Sequence, residues 1–194
     1  MYHIHHTLGV ITQTVPHGEA NRLYSILTQD LGLVRVHAQG VRLGKSKLKS
    51  HLVPYVVKEF SFVRGKEIWR LTTVKESSEY PHHITDEKAR KVYARILAAI
   101  TRLVSGEEHQ PSIFTVVSAC LVYLSQETTS EALEAVELIT MVRILYELGY
   151  IDKTTYLTPI LETTTFTPDE ITQVLAARTT ITHDINTALK ASQL

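Results

Sequence analysis

The hydrophobic pattern of this chain changes period once, between Ser77 and Pro81, and that break demands two different kinds of packing. Ahead of it, runs rich in β-branched residues alternate with turn signals at roughly ten-residue intervals. Thr7–Val15 ends at the turn Pro16-His17-Gly18-Glu19, and Arg22–Thr28 reads as a strand or a short helix. Gln29-Asp30-Leu31-Gly32 then turns the chain into the strand Leu33–Ala38. Val53–Val63, with Pro54 at its edge or start, and Lys66–Val74 are joined as a hairpin by Arg64-Gly65. Five such strands in about eighty residues predict a small barrel or sandwich, and the five-stranded OB-fold barrel is the specific expectation.

Past the break the apolar residues recur every three or four positions. Ala89, Val92, Tyr93, Ile96, Leu97, Ile100 and Leu103 form one helical stripe, with Thr85 expected as N-cap, Asp86 and Glu87 in the first turn, and Gly106 as the stop. A second helix is expected over Ser112–Gln126, and a third beginning after Ser130 and ending at an αL cap at Gly149. The threonine-rich segment Ile151–Phe166 reads as loop with at most one turn. Thr167-Pro168-Asp169-Glu170 has the form of a capping box opening another helix, and a last helix is expected over Thr182–Lys190. The fold class is therefore α+β: an OB-fold β-barrel over residues 1–80, then an all-α helical domain over residues 81–194.

Basic and acidic residues balance over the whole chain, 20 against 20, but not along it. Residues 1–80 carry 11 basic against 6 acidic, and residues 81–194 carry 9 against 14. The basic excess is densest after the third strand, where Arg42, Lys45, Lys47 and Lys49 alternate with small and apolar residues and no carboxylate intervenes. Such a run suits a mobile arm in search of phosphates, and a plain solvated loop is the competing reading. Arg35 and the hairpin cations Arg64, Lys66 and Arg70 flank it. Together these point charges form a candidate DNA-binding set that reads backbone and not bases. Trp69, Tyr55 and Phe62 are candidates for base stacking, although large aromatics in a small barrel are more often core.

Other chemistries find little support. Cys120 sits in the apolar run Ile113–Leu124 as a buried small hydrophobe, and a chain with one cysteine forms no internal disulfide, which fits a reducing cytosol. The first residues lack the basic leader and apolar core of a signal peptide, and no apolar run nears the ~20 residues needed to span a bilayer. His3, His5 and His6 read as a frayed, pH-sensitive terminus, and no histidine constellation has structural zinc spacing, so no metal or other cofactor is assigned. Gly40-Val41-Arg42-Leu43-Gly44-Lys45-Ser46 is one residue short of a phosphate-binding loop and is not followed by a helical pattern. Glu131, Glu134 and Glu137 read as a solvated helix stripe. No catalytic residue is assigned.

With both halves in view, the order of features resembles the bacterial recombination mediator family RecO. The resemblance is carried by Gly9-Val10-Ile11, His17-Gly18-Glu19-Ala20-Asn21-Arg22-Leu23, Gly32-Leu33-Val34-Arg35-Val36, and Gln39-Gly40-Val41-Arg42 with Lys45-Ser46-Lys47-Leu48. It continues through Leu52-Val53-Pro54-Tyr55 and Phe62-Val63-Arg64-Gly65-Lys66 to Arg143-Ile144-Leu145-Tyr146-Glu147-Leu148-Gly149-Tyr150. It implies an OB-fold followed by a helical domain, in a cytoplasmic, nucleoid-associated protein. It also implies binding of single- and double-stranded DNA, annealing of complementary strands, and loading of recombinase together with RecR. A further implied partner is the acidic C-terminal tail of the single-stranded-DNA-binding protein, for which a groove rimmed by Arg90, Arg95 or Arg102 is the expected receptor. One departure stands out: many members carry a four-cysteine zinc module just after the Leu-Gly-Tyr segment, and residues 151–166 here contain no cysteine. A protein–protein adaptor with the barrel as scaffold, and a small nucleotide hydrolase, are the competing readings.

Overall fold

The computed structural model describes residues 3–66, 68–104, 106–126, 129–154 and 156–192. The chain divides into two compact units, one of Met1–His83 with Ser105–Phe114, the other of Ile84–Val104 with Thr115–Leu194.

The first unit is built on a closed five-stranded barrel in the order β1-β2-β3-β5-β4. Its strands are β1 (Ile4–His17), β2 (Asn21–Thr28), β3 (Gly32–Ala38), β4 (Val57–Arg64) and β5 (Trp69–Glu76). Arg22–Thr28 is thus strand and not helix. The hairpin strands begin later than their composition suggests, at Val57 and Trp69. β1 closes the barrel because it is long enough to serve two neighbours. Its first half pairs with β4 from Ile4↔Val63 to Val10↔Val57, and its second half with β2 from Gly9↔Thr28 to His17↔Asn21. A register shift between Ile11 and Gln13 marks where the strand bends from one partner to the other. β3 and β5 meet as a parallel pair, through Val36↔Trp69 and His37↔Arg70.

Alternating side chains fill the interior. Tyr24 and Ile26, Val34, Val36 and Ala38, Phe60 and Phe62, and Trp69 and Leu71 all point inward and are buried. Burial of each such large side chain contributes about 1.5–3 kcal/mol. Val41 and Leu52, from the two ends of the basic loop, complete this core, and Leu48 packs against it. The loop is therefore not the free arm its composition suggests: it is pinned at both ends, and turns close it through Leu43 N–H to Gly40 O and Leu52 N–H to Leu48 O.

The second unit is helical: α1 (Glu87–Leu103), the greater part of α2 (Pro111–Leu124), α3 (Ser130–Glu147), α4 (Thr158–Leu161), α5 (Pro168–Ala176) and α6 (Arg178–Ala191). Asp86, not Thr85, caps α1, because its carboxylate accepts from Ala89 N–H at 2.7 Å. α6 starts before Thr182, and the threonine-rich segment contains the short helix α4. Two residues past Glu147, α3 is closed off by Gly149, whose φ of 75° lets Gly149 N–H reach Tyr146 O at 2.9 Å and Tyr150 N–H reach Leu145 O at 2.8 Å.

The segment that lacks cysteines is organised by Arg143. This buried guanidinium donates to the carbonyls of Ile160 and Thr165, both at 2.8 Å, and to Thr163 Oγ1 at 3.0 Å, and it lies 4.9 Å from the Phe166 ring centroid. Its counter-charge is Glu170, which also completes the capping box by accepting from Thr167 N–H at 2.8 Å.

Candidate nucleic-acid interface

The cations of the barrel unit fall into three settings. At the open end of β2, Arg22 stands two residues before the buried Tyr24, so the inward file of that strand runs out into solvent on a charge. Arg42 is held nearby by its backbone N–H to Ala20 O and its Nη1 to Gly18 O, both at 2.9 Å. With Lys49, Val41, Leu52 and Tyr24 these residues line a concavity of about 290 Å³. Lys45 and Lys47 project from the same loop and are exposed. Arg22 was not in the set expected from composition, because a single arginine at a strand start has no local signal.

The outer wall forms the second setting. On β3 the outward positions are Arg35 and His37, between the inward Val34, Val36 and Ala38. The register sets His37 beside Arg70 on β5, and Arg70 beside Val63 on β4. A concavity of about 950 Å³ opens here, lined by His37, Arg64, Lys66 and Arg70 over Val63 and Ile68. Its histidine is poised against protonation: burial pushes the His37 pKa down, and His17, whose ring meets it edge-on at 5.5 Å, and Arg70 push it further. Neither histidine is detectable as a pair in the sequence, since twenty positions separate them. Among the described residues, none of Arg22, Arg35, Arg42, Lys45, Lys47, Lys49, Lys66 and Arg70 ion-pairs with a carboxylate.

Arg64 makes the third setting and differs from the rest. Its Nη1 is ion-paired with Glu107 Oε2, its guanidinium carbon sits 4.8 Å from the Trp69 ring centroid, and Trp69 Nε1–H donates to Glu107 Oε1 at 3.0 Å. Trp69 and Phe62 are buried barrel core, so stacking on bases is not open to them. Tyr55 is half-buried with a positive φ of 67°. The N-terminal histidines are not frayed: His6 Nδ1 is 2.9 Å from Ser61 Oγ, and His5 packs edge-on to Trp69 at 5.0 Å. One front-half cation is withdrawn from any interface, since Lys58 is buried against Glu76 at 2.7 Å and holds that carboxyl below its usual range.

In the helical unit, Arg95 grips Glu137 with two hydrogen bonds, Nε to Oε1 at 2.6 Å and Nη2 to Oε2. Arg95 lines a groove of about 340 Å³ between α1 and α3, with Val92 and Leu133 as floor and Lys88, Lys91 and Glu134 at its rim. Arg90 and Arg102 are exposed but do not line it; Arg90 Nη1 donates to Ile84 O at 3.4 Å. Glu134 lies 4.0 Å from Arg178, so the acidic stripe is largely spoken for. No group of three metal-ligating side chains occurs among the described residues, and the residues directly after Ser46 form turns and not a helix. No helix among the described residues is long and apolar enough to cross a membrane.

The comparisons with known proteins converge. Residues 1–79 match the family model for the N-terminal domain of recombination protein O. The chain is 30% identical over 125 residues to a DNA repair protein RecO of Dehalococcoides mccartyi, covering 64% of this chain and 49% of that one. It is 30% identical over 128 residues to that of Synechococcus elongatus (66% and 48%), and 33% identical over 93 residues to that of Acaryochloris marina (48% and 31%). The chain thus spans half or less of the length of these curated relatives. Residues 1–79, which carry the closed five-stranded barrel with its exposed cationic loop and cationic outer wall, are thus similar to the RecO N-terminal domain, and about half to two thirds of the chain is similar to DNA repair proteins RecO.

Proposed function

We propose that this chain is a non-catalytic mediator of DNA repair and recombination that binds single- and double-stranded DNA through phosphates, without sequence preference, and anneals complementary strands. The observation that carries this reading is the set of eight exposed cations on one small barrel that have no carboxylate partner among the described residues. Lysines as point charges and arginines as forked donors contact phosphate oxygens, which fixes a strand without reading its bases. Cations from the two concavities neutralise two polyanionic strands at once, and that neutralisation lowers the barrier to pairing. RecR is the partner with which such a mediator loads recombinase. The groove between α1 and α3 suits the acidic tail of the single-stranded-DNA-binding protein, with its apolar floor for the tail's side chains and Lys88 for its charges, while Lys91 and Arg95 join by exchanging Glu87 and Glu137 for the tail's carboxylates.

Fluorescence anisotropy with labelled oligonucleotides of unrelated sequence, across a salt series, tests the reading. It requires near-equal affinities and a log–log salt slope that grows by about 0.7 per phosphate on single strands and about 0.9 on duplex. Absence of binding at low salt would favour the adaptor reading, in which the barrel is scaffold only.

A further inference from the structure

Glu107 does to Arg64 what a phosphodiester would do. It belongs to residues 105–114, which form part of the barrel unit, and its two carboxylate oxygens take two different donors, the Arg64 guanidinium and the Trp69 indole N–H. A nucleic-acid phosphate offers the same pair of oxygens, at similar separation and with the same charge. We propose that Arg64 and Trp69 Nε1–H form an anion site that Glu107 fills in the free chain, and that a DNA phosphate displaces the Glu107 carboxylate on binding. The proposal rests on the DNA-binding reading above and adds a site with a built-in competitor.

Three features make the exchange physically reasonable. First, the ion pair lies at the water boundary: the Arg64 side chain is 51% exposed and that of Glu107 39%. Pairs so placed are weak and readily exchanged for another anion. Second, the indole is locked while its N–H is not. The Trp69 ring is buried, with the Phe62 ring 6.2 Å away, the His5 edge at 5.0 Å and Arg64 at 4.8 Å, so the donor keeps its direction whichever acceptor it has. An indole nitrogen is only a donor and needs an acceptor when buried, which a phosphate oxygen supplies as well as a carboxylate. Third, the segment that carries Glu107 is anchored without it. The backbone of Glu108 lies so close to Gly32 that a Cβ there would come within 2.1 Å of the Glu108 carbonyl oxygen, and His109 donates from Nδ1 to Asp30 O at 2.9 Å. The carboxylate can therefore swing away while its backbone stays. Lys66 and Arg70 line the same concavity as Arg64, so a strand drawn there by those cations delivers its next phosphate to the occupied site.

The test uses Glu107→Gln against Glu108→Gln in the full chain, with a labelled single-stranded oligonucleotide at fixed salt. Both remove one negative charge, but only the first releases Arg64, and the glutamine still offers an oxygen to Trp69. Glu107→Gln is expected to bind at least about three-fold more tightly than Glu108→Gln, the scale of one exposed ion pair. Arg64→Ala in the Glu107→Gln background should abolish the gain. Trp69 is the sole tryptophan, so its emission should also change when wild type is saturated with the unlabelled oligonucleotide. Equal affinities for the two glutamine variants, with Trp69 emission unmoved at saturation, would overturn the anion site and leave DNA binding standing. A wild type that binds no oligonucleotide overturns both.

Discussion

Arg143 and Glu170, 27 residues apart and both buried, face each other at 3.4 Å, and the segment between them is folded onto that pair. The arginine ties down the carbonyls of Ile160 and Thr165, while the glutamate caps α5. The stretch contains no cysteine, and this chain holds it with one guanidinium.

Removing the guanidinium leaves the Glu170 carboxylate buried without its counter-charge. Arg143→Ala is expected to lower unfolding free energy by about 3–5 kcal/mol, read from a denaturant midpoint. Arg143→Lys should recover little of it, since a compact ammonium cannot satisfy several acceptors spread around a planar fork.

The His37 environment fixes the direction of a pH effect. Because its pKa lies below the ordinary histidine value of 6.5 through burial, His17 and Arg70, the folded chain binds its proton less readily than the unfolded chain does. The stability tied to neutral His37 is complete above that value and is lost as pH falls through the lowered one. Thermal midpoints should drop from neutrality downward, and His37→Gln should flatten that drop. Phosphates beside His37 and Arg70 act the other way, so oligonucleotide affinity should rise on mild acidification in the wild type and less so in His37→Gln.

Cys120 is fully buried, and burial pushes its thiol up to about 12. The native chain should therefore resist thiol reagents at pH 8 and react only at the rate of unfolding. Rapid native labelling would show that the apolar face around it opens.

The groove between α1 and α3 makes a separate prediction. Lys88→Glu with Lys91→Glu should weaken binding of an acidic peptide with apolar terminal residues several-fold, measured by anisotropy, while leaving oligonucleotide affinity unchanged. An unaffected peptide affinity would place that partner elsewhere.

The barrel was legible because period-two alternation survives in β3 and β4, and the basic loop because charge needs no tertiary information to be seen. What stayed hidden depends on closure. Glu107 reaches Arg64 across 43 residues, and His17 meets His37 because β2 carries the chain between them. Lys58 reads as one more front-half cation until the β4–β5 register puts it opposite Glu76. Arg90, Arg95 and Arg102 are alike as cations on α1, yet of the three only Arg95 lines the groove, together with Lys88 and Lys91, because α3 packs against that particular side.

The most direct test of the account is the salt dependence of single-stranded oligonucleotide binding by Lys45→Glu/Lys47→Glu/Lys49→Glu beside the wild type. These side chains are exposed and lack carboxylate partners among the described residues, so folding stability should stay within about 0.5 kcal/mol. The predicted result is a large loss of affinity together with a log–log slope shallower by about 0.7 for each phosphate contact removed. An unchanged affinity and slope at moderate salt would contradict the claim that the barrel grips nucleic-acid backbones through this loop.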